Sequence, residues 1–123
     1  GVDMVIWALK NAFGSEIFVP KIPSYNITDM AKAIAPKSKI KIVGIRPGEK
    51  LHEEMISIND SQNTVEIGNY YAILPQGDNK LRKKYLSKKG SKIVNPGFAY
   101  SSDTNKDFLS IAQIRTLIKD FQY

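Results

Sequence analysis

The chain has 123 residues, enough for one domain, with 42% apolar and 24% charged side chains, an ordinary globular mixture. It contains no cysteine and one histidine, which excludes disulfides and thiolate chemistry and argues against a zinc site. The formal net charge is +6, but Lys80, Arg82, Lys83, Lys84, Lys88, Lys89 and Lys92 crowd into one stretch, so the charge describes a segment and not the whole surface.

In chain order, residues 2–13 predict an amphipathic helix ended by Gly14. Val2, Val5, Ile6, Leu9 and Phe13 are spaced to form its buried face. There is no initiator methionine and Gly1 runs straight into this helix, so the chain is expected to be a portion opened in mid-fold. Glu16–Lys21 reads as a strand stopped by Pro20 and Pro23. Thr28 is the expected N-cap of a helix over 29–35, closed by Pro36. Lys39–Ile45 alternates as a second strand. Arg46-Pro47-Gly48 then turns the chain into an expected helix over 49–56. Thr64–Ile67 and Tyr70–Leu74 predict a hairpin across Gly68-Asn69. Lys80–Lys92 reads as a surface loop or loose helix, and 98–105 as an aromatic segment running into turn residues. The last helix is announced by a capping box of Ser110 and Gln113, with Ile111, Ile114, Leu117, Ile118 and Phe121 as its apolar face. The sum is a small α/β domain over 1–123, with a body at 1–79, a basic insert at 80–97, and a tail with final helix at 98–123.

Chemistry concentrates at Arg46-Pro47-Gly48-Glu49. A guanidinium beside a helix N-terminus suits a phosphate or diphosphate, and a carboxylate three residues on can accept from a ribose diol. The alternative is that Arg46 pairs with Glu49 or Glu53. The run Gly44–Ser57 (GIRPGEKLHEEMIS) resembles the signature of inverting UDP-N-acetylglucosamine 4,6-dehydratases, which are extended short-chain dehydrogenases/reductases of surface-glycan and pseudaminic acid synthesis. Gly1-Val2 and the following helix, Glu16–Ser24, Thr28–Pro36 and Phe98–Ser102 resemble the same family in the same order, whereas residues 76–95 match no pattern.

The resemblance implies a C-terminal substrate-binding portion without its Rossmann domain. It implies a parent enzyme that uses NADP to oxidise C4 of the sugar, eliminate water across C5 and C6, return hydride to C6 and invert C5. It assigns Arg46 to the diphosphate of UDP-N-acetylglucosamine and Glu49 to the ribose. The catalytic Asp, Lys and Tyr and the glycine fingerprint of such enzymes lie upstream. This chain is therefore expected to hold no catalytic, cofactor or metal residue, to bind no NADP and to show no turnover alone. A homo-oligomeric, cytoplasmic parent is implied, with no membrane span and no nucleic-acid partner. An oligomerisation module, and behind it a basic nucleic-acid-binding domain, are the competing functions. Tyr85 and Lys89 fit the Y-x-x-x-K spacing of short-chain dehydrogenases, a match rejected because the stretch reads as lysine-rich surface. His52, on the expected helix over 49–56, is expected to serve packing or a helix hydrogen bond.

Overall fold

The computed structural model describes residues 1–119. The elements are α1 (Val2–Asn11), β1 (Ile17–Pro20), α2 (Ile27–Ile34), β2 (Glu54–Ile56), β3 (Thr64–Ile67), β4 (Tyr70–Ile73), α3 (Asn79–Leu86), β5 (Ser91–Ile93), β6 (Tyr100–Ser101) and α4 (Ile111–Lys119), with a 3-10 turn at Asn59–Asn63. The expected small α/β architecture is the one observed. The chain groups into two compact units, Gly1–Lys21 with Glu54–Tyr100, and Ile22–Glu53 with Ser101–Tyr123.

The first unit is built on a four-stranded antiparallel sheet in the order β1-β4-β3-β5. The β3–β4 hairpin closes through Gly68-Asn69, with Ile67 opposite Tyr70. Gly68 takes φ 54 while Asn69 stays at negative φ, as a turn of type II′ requires of its first central residue. Strand alternation sorts the side chains to two faces. Val65, Ile67 and Ala72 join Leu74, Leu81 and Tyr85, with Phe18, Tyr70 and Trp7 packed against them. On the other face Val19, Ile56 and Tyr100 form a smaller cluster with Tyr71, Ile73 and Phe98. β2 pairs with β6.

Two expectations fail here. Residues 80–92 are not a loose surface insert: Asp78 Oδ1 accepts from Leu81 N at 2.9 Å and caps α3, whose Leu81 and Tyr85 belong to the main core, and β5 adds the fourth strand. The helix weighed as one reading of this stretch is present, but it is packed: Leu81 and Tyr85, four residues apart, turn inward while Lys80, Lys83 and Lys84 stay exposed. In α1, the half-buried residues are Met4, Trp7, Ala8 and Asn11, and the stripe expected to be buried points away from the core. Trp7 stacks on Tyr70 at 4.1 Å and meets Phe18 edge-on at 5.1 Å, whereas Val2, Val5, Ile6, Leu9 and Phe13 are all exposed, Leu9 at 80%. α1 is apolar on both sides, and the aromatic side won the sheet because a ring buries more area than a branched aliphatic. It also stops at Asn11, short of Gly14.

The second unit rests on α2 and α4. α2 starts at Ile27 after Asn26, so Thr28 is not its cap. The capping box of α4 forms as expected, with Ser110 N donating to Gln113 Oε1 at 2.9 Å and Gln113 N to Ser110 Oγ at 3.4 Å. Arg115 reaches the last carbonyls of α2, at Lys32 and Ala33. Phe121, expected on the face of α4, lies outside the described residues. Leu109 N donates to Ser24 O and Ser24 N to Asp107 O, both at 2.8 Å.

The expected strand over 39–45 and helix over 49–56 do not form. Residues 37–53 run without strand or helix, with Ile42 87% exposed, and the chain becomes regular only at β2. Alternation makes an extended segment competent to pair, but a strand needs a neighbour, and none of the described residues supplies one.

Candidate functional site

The Arg46–Glu49 segment lies wholly within the second unit. Its local geometry follows from Pro47 and Gly48. Proline presets φ at the second position of a β-turn, and glycine alone tolerates the left-handed third position of type II. Gly48 has φ 87, and Glu49 N donates to Arg46 O at 3.1 Å, the pattern of that turn. The turn sets the two side chains side by side. Glu49 Oε2 accepts from Arg46 N–H at 2.9 Å, and Glu49 Oε1 lies 3.7 Å from Arg46 Nε. The side chains are 78% and 51% exposed, so the pair is neither sealed beneath others nor split across the fold.

This corrects one part of the expectation and leaves another open. No helix follows the turn, so the helix dipole and its free N–H groups are not available at Arg46. What remains is a guanidinium whose Nε faces the carboxylate, with its terminal nitrogens unpartnered among the described residues. An exposed ion pair is worth only about 0–1 kcal/mol, so an anion arriving at those nitrogens displaces little. The Arg46–Glu49 pairing weighed from spacing is the one present.

The structure adds a contact that sequence reasoning missed. His52 Nδ1 lies 3.1 Å from Ser102 Oγ. The same oxygen accepts from Glu53 N–H at 3.2 Å, and Ser102 N donates to Glu53 O at 2.9 Å. Ser102 belongs to the Phe98–Ser102 run already singled out, but a partnership across 50 residues leaves no local signal. Next to it the Ser101 hydroxyl donates to Asp103 and holds that carboxyl below its ordinary range.

Tyr85 lies in the core of the first unit. It is fully buried, and its hydroxyl donates to Glu16 Oε1 at 2.5 Å. Burial first, then that hydrogen bond and the Glu16 charge, push the phenol far up, the opposite of what a proton-shuttling tyrosine needs. The rejection of the Y-x-x-x-K match therefore stands, though the reason is burial and not surface exposure. Among the described residues no group of three His, Cys, Asp or Glu could hold a metal ion, and no helix is long and apolar enough to cross a membrane.

Residues 1–75 match the family model described as polysaccharide biosynthesis protein. The chain is 48% and 46% identical over 123 residues to the UDP-N-acetylglucosamine 4,6-dehydratases (inverting) of two Campylobacter jejuni strains, covering 96% of this chain and 36% of each relative. It is 31% identical to a UDP-glucose 4-epimerase of Rickettsia bellii, over 99% of this chain and 36% of that protein. Among solved structures it resembles Pen from Bacillus thuringiensis, with TM-score 0.74 and 25% identity, over 98% of this chain and 36% of the other. The chain thus spans about a third of the length of the curated relatives it matches.

Proposed function

Because this chain belongs to the polysaccharide biosynthesis protein family, matched over residues 1–75, we propose that it is the substrate-binding part of an inverting UDP-N-acetylglucosamine 4,6-dehydratase of the extended short-chain dehydrogenase/reductase type. Arg46 meets the diphosphate of the nucleotide sugar and Glu49 its ribose. The observation that carries this reading is the juxtaposition of the two side chains on one solvent-open turn, in a chain 48% identical to such a dehydratase. An arginine presents paired donors to a phosphate edge, and a carboxylate accepts from two vicinal hydroxyls. The turn places both without a mobile linker between them.

The complete enzyme is cytoplasmic, uses NADP and assembles as a homo-oligomer. The residues of this chain do not fit the dinucleotide. Among the described residues no strand leads through a glycine-rich turn into a helix, the arrangement that cradles a pyrophosphate. The chain alone shows no turnover. It binds no nucleic acid: Tyr85, the one aromatic within Lys80–Lys92, is buried and gives bases nothing to stack on.

Calorimetric titration of the 123-residue chain with UDP tests the site. Arg46→Ala is expected to weaken binding roughly 10- to 150-fold, the worth of a hydrogen bond to a charged group. Equal affinity in the two proteins would remove Arg46 from the site.

The exposed stripe Val2, Val5, Ile6 and Leu9 favours a second role, oligomer contact, since a helix apolar on both sides belongs in a larger assembly. Leu9→Ser is expected to change unfolding free energy by less than about 0.5 kcal/mol, because the side chain is 80% exposed, yet to weaken self-association in sedimentation. A monomer at all concentrations before the substitution would end this second role.

A further inference from the structure

The single histidine of the chain stands three residues beyond Glu49 and was assigned no chemistry by the sequence. Its surroundings say more. His52 is exposed, but its ring is not free to turn, because Nδ1 is tied to Ser102 Oγ at 3.1 Å. Ser102 is itself fixed by two backbone bonds to Glu53, one accepted at Oγ and one donated from its own N–H. With Nδ1 engaged at Ser102, the ring nitrogen left to meet a ligand is Nε2. Nε2 has no partner among the described residues.

The latch also closes the far end of the turn segment. Between Ser38 and Glu53 the regular ladders are missing, and the bonds at His52 and Glu53 are what join this stretch to the Ser101–Asn105 turn. His52 follows Glu49 by three residues, at most about 10 Å of backbone and comparable with the length of a ribose diphosphate, and Arg46 stands beside Glu49 across the turn. Arg46, Glu49 and His52 can therefore be met by one such ligand.

We propose that His52 is a third nucleotide-binding residue, donating from Nε2 to a phosphate oxygen of the ligand held by Arg46 and Glu49, and that Ser102 is the positioning residue that orients its ring. This rests on the reading of Arg46 and Glu49 as the nucleotide site. It adds to that reading a donor whose ring is oriented by Ser102, 50 residues away in sequence.

The test is UDP binding by the 123-residue chain, measured by calorimetry and by NMR of the imidazole nitrogens, which are unambiguous because there is one histidine. In the wild-type chain the Nε2 resonance is expected to shift saturably with UDP, following the calorimetric affinity. His52→Asn keeps an acceptor where Nδ1 lies and offers nothing at Nε2, so it is expected to weaken binding roughly tenfold. His52→Gln restores a donor near Nε2 and is expected to recover most of that loss. Ser102→Ala is expected to weaken binding several-fold, and Ser102→Thr, which keeps the hydroxyl, to restore it. If His52→Asn binds as well as wild type while Arg46→Ala does not, the histidine has no contact and this inference falls while the nucleotide site stands. If Nε2 does not respond to bound UDP, the inference falls as well. If the wild-type chain binds no UDP at all, both fall together.

Discussion

Tyr85→Phe is expected to destabilise the first unit by about 1.5–3 kcal/mol, and Tyr85→Ala by about 3–5 kcal/mol, in denaturant unfolding. The two substitutions separate the parts of one side chain. The ring is fully buried between the sheet and its neighbours, meeting Phe13 edge-on at 5.2 Å and Phe18 at 6.5 Å. Losing it opens a cavity in the main core. The hydroxyl serves a different purpose. It reaches Glu16 across 69 residues, in a carboxylate that also accepts from Phe13 N at 2.6 Å. Phenylalanine keeps the ring and leaves the carboxylate with fewer donors, while its other oxygen, Oε2, is already buried without a partner.

The pH dependence has a definite sign. Burial works against the charged form of Glu16, but the hydrogen bond from Tyr85 and those from nearby backbone outweigh it, so its pKa lies below the ordinary 4.5. A depressed carboxyl contributes stability that is fully present above its unfolded value and is lost as pH falls through the folded one. Wild-type stability is therefore expected to drop on acidification below about pH 4.5, with Glu66, held low first by Lys21 and then by Lys92, acting in the same direction. Tyr85→Phe should flatten the Glu16 share of that drop. An unchanged acid limb in Tyr85→Phe would mean that the hydroxyl does not set the Glu16 charge.

Ile114→Ala is expected to cost about 2–5 kcal/mol and to act on the second unit, which carries the Arg46–Glu49 turn. Among the described residues Ala33 and Ile114 are the buried apolar side chains of that unit, the latter 1% exposed. Around Ile114 an apolar hollow of about 340 Å³, lined also by Pro23, Tyr25, Met30, Leu109, Leu117 and Ile118, already limits packing. Little else can collapse to fill the space of three lost carbons. The unit has few reserves, so UDP affinity is expected to fall with its unfolding, although Ile114 belongs to α4 and the turn to the irregular stretch ahead of β2. Retained stability in thermal melts of Ile114→Ala would show that α2 and α4 do not hold this unit together.

What could be read from the sequence is what short-range chemistry decides. The Gly68-Asn69 turn specifies its hairpin because glycine readily takes the positive φ that the first position of this two-residue loop requires. Ser110 and Gln113 specify the start of α4 because each satisfies the other's free N–H. Arg46 and Glu49 sit together because Pro47 and Gly48 between them bend the chain, so the candidate pair was legible even though the strand and helix expected on either side were not there. The string around them was long enough to point to the family that the comparisons then showed.

The tertiary structure decided whatever depends on which surface is nearby. α1 has two apolar stripes, and periodicity cannot say which one meets the sheet; Trp7 decided it by stacking on Tyr70. Lys39–Ile45 has the alternation of a strand but no pairing partner among the described residues, and backbone bonds across strands are not written in the strand itself. Lys80–Lys92 looked like solvent-facing charge until Leu81 and Tyr85 entered the core. The Ser102–His52 latch joins residues 50 apart, and a contact of that separation exists only once the chain has folded around it.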